Sequence, residues 1–293
     1  MRRKINKTIW IFFGLFLVAI TGIFIAISTG AIGYVPPVEQ LENPIDRYAS
    51  QLISEDDVIL GNYSYEKGNR IFITYNDLSP ELVHALIATE DIRFKGHSGI
   101  DVKSLIRAVV KRVFLNQKSA GGGSTISQQL AKQLFSPNAG NVMQRLLQKP
   151  IEWVIAVRLE KYYTKEEIIN MYLNKIDFLY NAIGIQSAAR SYFNTTPKAL
   201  KLEEAATLIG MCKNPSSYNP KKFPERAINR RNTVLSQMKK YGFIDKATCD
   251  SISNLPLELN FTRSDHKEGP APYYRAYIQS MMTATKPVKS EYE

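Results

Sequence analysis

Gly121-Gly122-Gly123-Ser124-Thr125-Ile126-Ser127-Gln128-Gln129-Leu130-Ala131-Lys132-Gln133-Leu134 is a glycine-rich approach that turns into a helix. Thr125 and Gln128 have the spacing of a capping box, in which the two side chains satisfy orphan N–H groups reciprocally. Ile126, Leu130 and Leu134 recur at helical spacing and are predicted to face a core, while Gln129, Lys132 and Gln133 share another face. Pro137 ends the pattern. The glycines let backbone approach a ligand closely, and a helix start offers free N–H groups to an anion; a plain flexible loop is the other reading. The spacing to a following Lys-Ser/Thr pair excludes a nucleotide-hydrolase phosphate loop.

Helical patterning extends outward from this stretch. Upstream, residues 104–115 carry Leu105, Ile106, Val109, Val110, Val113 and Phe114 at helical period. Arg107, Lys111 and Arg112 take the other face, flanked by Lys103 and Lys118, so the segment is either a core helix with a solvated basic face or a helix lying on anionic lipid. Before it, Leu82, Val83, Leu86, Ile87 and Ala88 form an apolar run ending at Glu90-Asp91. Downstream, a helix is predicted from about Lys149 to Tyr163 with Ile151, Val154, Ile155, Leu159 and Tyr162 buried, and with Lys149 and Glu152 on one side. Further helices are predicted around 165–174, 182–192, 203–213 and 225–241. Short β-branched or aromatic runs at 52–53, 58–60 and 71–75 read as strands. The fold class is therefore mainly α, with a small β element near the N-terminus.

Composition sets the compartment. The 293 residues are 44% hydrophobic and carry a net charge of +11, which calls for an anionic partner. Arg2, Arg3, Lys4 and Lys7 precede an uncharged run long enough to cross a hydrocarbon core as a helix. The reading is a cytoplasmic tail at 1–7, an uncleaved transmembrane anchor at 8–32, and a body outside the cytoplasm, which argues against nucleic acid. Residues 33–76 are a linker with a short β segment, 77–245 the main domain and 246–293 a C-terminal extension. Cys212 and Cys249 define no disulfide framework, and the three histidines are scattered without metal-ligand spacing.

Two carboxylates stand out, Glu90 after its apolar helix and Glu152 beside Trp153. Two carboxylates in different environments suit glycosyl transfer, one handling a proton and the other stabilising charge or holding a metal. Five blocks occur in order: Glu90-Asp91-x-x-Phe94-x-x-His97-x-Gly99; Gly123-Ser124-Thr125-Ile126-Ser127-Gln128-Gln129-Leu130-x-Lys132; Lys149-x-x-Glu152; Lys165-x-x-Ile168-x-x-x-Tyr172-Leu173-Asn174; and Arg230-Arg231-x-x-Val234-Leu235. With them the chain resembles the family 51 peptidoglycan glycosyltransferases, found alone or as the first module of class A penicillin-binding proteins.

The resemblance implies a lysozyme-like helical fold and polymerisation of lipid II, an undecaprenyl-pyrophosphoryl disaccharide-peptide, into β-1,4 glycan with inversion. It implies Glu90 as general base, Lys149 and Glu152 beside the leaving pyrophosphate, and a divalent cation, Mg2+ or Mn2+, at Glu152. Ser124, Thr125, Gln129 and Lys132 would hold the donor side, and Asp91, Phe94, His97 and Gly99 would shape the cleft. The partners expected are lipid II, the growing lipid-linked chain, the bacterial cytoplasmic membrane and cell-wall synthesis proteins.

Departures from the pattern are Gln148, where the family usually has arginine, Ile92, where it often has a charged residue, and Pro150, which ends or kinks a helix unless a new one starts there. They keep open a weakened scaffold of the same fold; a peptidoglycan-cleaving lysozyme-like enzyme is the other alternative. Ala271-Pro272-Tyr273-Tyr274-Arg275 resembles the junction where class A proteins begin their transpeptidase part, so the chain is read as a fragment or a natural truncation.

Overall fold

The computed structural model describes residues 2–37, 41, 50–56, 59–63, 69–110, 122–136, 142–263 and 272–284. In chain order its helices are α1 (Arg2–Ser28), α2 (Pro80–Glu90), α3 (Val102–Val109), α4 (Ile126–Phe135), α5 (Val142–Tyr162), α6 (Lys165–Lys175), α7 (Ile185–Phe193), α8 (Leu202–Cys212), α9 (Pro224–Lys240), α10 (Lys246–Ser253) and α11 (Pro272–Ala284). Four short strands accompany them: β1 (Ser50–Ile53), β2 (Ile59–Tyr63), β3 (Asn69–Arg70) and β4 (Ala182–Ile183). The architecture is mainly helical. Two compact units divide the chain, the first made of 1–44 and 93–172, the second of 45–92 and 173–293. Val58, residues 111–121 of the expected basic helix and glycine run, and Pro44 and Pro137 lie outside the described residues.

In the first unit, α1 contains an apolar stretch, Trp10–Ser28, with a mean hydropathy of 2.6 and almost no burial. By length and composition it is able to cross a membrane. Its end is tied to α5: Phe24 stacks on Trp153 at 6.2 Å between centroids. The Arg158 guanidinium also donates to the Ser28 carbonyl at 2.8 Å and to the Pro36 carbonyl at 3.4 Å. A cation on the last carbonyls of a helix satisfies groups with no intrahelical partner. Trp153 is thus a packing residue.

The expected start of α5 near Lys149 is corrected. The helix begins at Val142 and runs through Pro150. Proline removes one backbone donor and disfavours a helix interior; α5 packs against both α1 and α4, and this tertiary burial outweighs the local preference. α3 covers the first part of the helix expected at 104–115. Asp101 caps it, its carboxylate accepting from the Ser104 N–H at 3.0 Å and from Arg93 through two nitrogens at 3.0 Å each. Burial would raise the Asp101 carboxyl, but the hydrogen bonds from Arg93 and Ser104 prevail and hold it at about 2.

In the second unit, β1 and β2 pair antiparallel with an irregularity at Leu52/Ile53, and β3 pairs parallel with β4. The strand expected at 71–75 does not form. Ile71 and Ile73 are buried and Phe72 is exposed, so the alternation is real, but Ile71–Thr74 joins no ladder and Tyr75–Asp77 is a 3-10 turn. The Ile73 carbonyl instead accepts from the Asn174 side chain at 3.1 Å. The helix expected at 182–192 is also corrected, because Ala182–Ile183 is β4. Gly184 (φ +82°) then opens α7, in a place where a Cβ would lie 2.9 Å from the Asn174 carbonyl oxygen.

The core of this unit is made where α2, α8 and α9 pack together, burying Leu82, Leu86, Leu208, Ile209, Val234 and Leu235. Arg230 and Arg231 sit inside α9. Arg231 is buried and donates to the carbonyls of Ser253, Leu255 and Pro256, holding the end of α10. α10, missed as a helix in the sequence, is capped by Asp245, whose side chain accepts from Thr248 N–H at 2.7 Å. Both cysteines are free; burial pushes the Cys212 thiol up, out of reach of thiolate chemistry near neutral pH.

Candidate active site

The residues singled out from the sequence divide between the units. Glu90 and Asp91 belong to the second; Phe94, His97, Gly99, Ser124, Thr125, Gln129, Lys132, Lys149 and Glu152 belong to the first.

In the second unit the apolar helix α2 delivers Glu90 as its last residue and Asp91 as its buried C-cap. Arg230, on α9, faces Glu90 with 3.5 Å between Nη2 and Oε1, and its Nε donates to the Gly210 carbonyl at 3.4 Å. Gly210 leaves room for that approach, since a Cβ there would lie 3.0 Å from the Arg230 side chain. The fifth block therefore brings a cation to the first block's carboxylate.

In the first unit Gly99 (φ +93°) lies against the α5 backbone; a Cβ would be 2.9 Å from the Ala156 carbonyl. The Gly99 carbonyl accepts from the Thr125 hydroxyl at 2.6 Å, and that hydroxyl accepts from Gln128 N–H at 3.1 Å. The predicted capping box is present. The Thr125 side chain is buried and its hydroxyl is committed to the loop, where it positions backbone. Gly123 serves close packing, its virtual Cβ lying 3.3 Å from Leu105 and Ala108 of α3.

Gln129 accepts from the Tyr172 hydroxyl at 3.0 Å, Ser124 is half-buried and Lys132 is exposed. Phe94 and His97 are fixed by Lys165, whose ammonium lies 4.3 Å over the Phe94 ring and donates to the His97 carbonyl at 2.6 Å. Lys165 also pairs with Glu160, which accepts from Ser127 at 2.5 Å. This network joins the first, second and fourth blocks.

Glu152 is fully buried on α5 and holds two cations, Arg145 Nη1 at 2.5 Å from Oε1 and Lys149 Nζ at 3.0 Å from Oε2. An unpaired carboxylate there would cost several kcal/mol, and the two cations offset that cost. Arg145 Nη1 also reaches Gln148 Oε1 at 3.2 Å. Sequence reasoning missed Arg145, although its spacing to Lys149 and Glu152 (i+4 and i+7) was a usable signal.

The described residues build no side-chain cage for a divalent cation at Glu152. Both Glu152 oxygens face cationic nitrogens, and among the described residues no cluster of three or more His, Cys, Asp or Glu forms a cage. What the face does offer is net positive charge beside a buried carboxylate, which suits an anion such as a pyrophosphate.

A family profile described as Transglycosylase matches residues 56–239. Penicillin-binding protein 1A of Escherichia coli is 36% identical over 249 residues, covering 85% of this chain and 28% of that protein. Penicillin-binding protein 1A/1B of Bacillus subtilis is 32% identical over 283 residues, covering 94% and 30%. A crystal structure of penicillin-binding protein 1A from Haemophilus influenzae superposes with a TM-score of 0.42 at 20% identity, over 84% of this chain and 26% of that one. The chain thus spans about a third or less of the length of these proteins.

Proposed function

Because this chain belongs to the transglycosylase family, we propose that it polymerises a lipid-pyrophosphate-linked disaccharide into glycan strands, as a peptidoglycan glycosyltransferase. The observation that carries the reading is the cationic face of α5, where Lys149 and Arg145 flank buried Glu152. A pyrophosphate is already a good leaving group, so the demand on the protein is to stabilise departing charge, not to protonate it.

Glu90 is assigned as the general base. The acceptor's 4-hydroxyl oxygen forms a bond to the donor's anomeric carbon, its proton passes to the Glu90 carboxylate, and the bond from that carbon to the pyrophosphate oxygen breaks. The lipid pyrophosphate leaves as an anion toward Lys149. Attack opposite the leaving group inverts the anomeric centre. Ser124, Gln129 and Lys132 are assigned to the donor's sugar and phosphate, Thr125 to the loop that presents them, and Asp91, Phe94, His97 and Gly99 to the shape of the cleft.

The substrate's lipid fits an anchored enzyme. We place α1 across the bacterial cytoplasmic membrane with its basic N-terminus inside and the catalytic body outside. Val102, Ile106 and Val110, one helical turn apart and all exposed, give α3 an apolar stripe suited to the membrane surface.

The test is incubation of the purified chain in detergent with lipid-linked disaccharide, and separately with finished cell-wall polymer. Glycan strands from the first supports the reading. Soluble muropeptides from the second, with no strands from the first, would replace it with a hydrolase.

A further inference from the structure

We propose that Arg145 supplies the second cation of the pyrophosphate site, taking over from the arginine expected at position 148. The inference rests on the glycosyltransferase reading above and adds a residue to it.

The argument is one of charge. With Gln148 neutral, the pair Lys149–Glu152 sums to zero and leaves little attraction for an anionic leaving group. Arg145 changes the balance: two cations on one carboxylate leave a net positive charge on this face of α5. Position 145 precedes 148 by three residues and 149 by four, so its side chain rises beside both on one helix face.

The geometry gives Arg145 a means of holding the ligand. Its Nη1 is shared by Glu152 Oε1 (2.5 Å) and Gln148 Oε1 (3.2 Å). Its Nε and Nη2 make no hydrogen bond among the described residues, and about a third of the side chain is exposed (34%). A guanidinium fixed at one nitrogen and open along its other edge matches the paired oxygens of a phosphate. Gln148 acquires a part in this arrangement, as the bracket that helps aim the guanidinium, where a second arginine would repel it.

A purely structural Arg145 would only neutralise Glu152, and ligand binding separates the two roles. The experiment uses the full chain carrying Glu90→Gln, which prevents turnover, and measures binding of a short polyprenyl diphosphate and of the matching monophosphate in detergent micelles. Arg145→Ala should weaken the diphosphate by about tenfold or more, the worth of a charge-assisted hydrogen bond, and the monophosphate less. Adding Gln148→Arg to Arg145→Ala should recover most of the loss. Arg145→Lys keeps a charge for Glu152 but loses the fork, and should weaken the diphosphate by a few fold; it is the variant to read if Arg145→Ala loses its cooperative thermal transition. Diphosphate binding unchanged in the folded alanine and lysine variants, or equal losses of both ligands without recovery by Gln148→Arg, overturns the proposal. Polymerisation by the unmodified chain combined with silent Arg145 variants would sink this inference alone; neither polymerisation nor diphosphate binding by the unmodified chain would sink the reading beneath it as well.

Discussion

The two units each carry one of the two candidate carboxylates, and the two are held in opposite ways. Glu152 in the first unit is completely buried, with two cations at 2.5 and 3.0 Å. Glu90 in the second ends a helix, stays partly exposed at 14%, and faces one guanidinium at 3.5 Å. A group that must accept a proton and pass it on needs solvent contact and loose pairing. A group that aims cations at a phosphate needs to be immobile. The contrast supports the roles proposed above, proton transfer for Glu90 and charge placement for Glu152.

Substitutions can break that contrast. Glu152→Ala removes the buried partner of two cations that are each about a third exposed and should destabilise the protein by roughly 1–3 kcal/mol, read as a lowered denaturant midpoint. An equal loss for Glu90→Ala would remove the distinction. Lys149→Ala should lower the polymerisation rate by about 10²–10³, the size seen when one transition-state donor is removed, with a smaller change in stability than Glu152→Ala. Chelation of divalent cations should cost less rate than Lys149→Ala, since Glu152 already faces cationic nitrogens; a larger loss would restore a metal to the site.

The smallest effect concerns acid. Asp101, held at about 2, contributes stability that is present above the ordinary carboxylate value of about 3.9 and is lost as pH falls through about 2. Asp101→Asn should flatten the acid limb of the stability profile and leave Glu90-dependent chemistry alone. An unchanged acid limb would show that the Arg93 pair is not what stabilises the start of α3.

Much of this was legible in the sequence because local chemistry and tertiary context agree. The Thr125/Gln128 capping box, the Lys149–Glu152 pairing and the helices expected around 165–174, 203–213 and 225–241 follow from spacing, the helices to within a residue at each end. The misses occurred where tertiary contacts overrode a local signal. Pro150 reads as a helix boundary, yet packing on two faces carries α5 through it. Ile71 and Ile73 alternate as in a strand, yet Asn174 takes the Ile73 carbonyl and no ladder forms. Arg230 and Arg145 are the instructive cases at the site. Arg230 lies 140 positions from the carboxylate it faces, and that pairing is set by the packing of α9 on α2. Arg145 was within reach of a helix-face argument, since it lies four residues before Lys149 and seven before Glu152.

The measurement that tests the central claim most directly is glycan polymerisation by Glu90→Gln beside the unmodified chain, with both shown to share a thermal midpoint and to bind polyprenyl diphosphate equally. The account predicts strands from the unmodified chain and a rate lower by about 10² or more in the variant, the scale of a lost general base. Polymerisation by Glu90→Gln at the unmodified rate would contradict it, and would move the proton-accepting role away from Glu90.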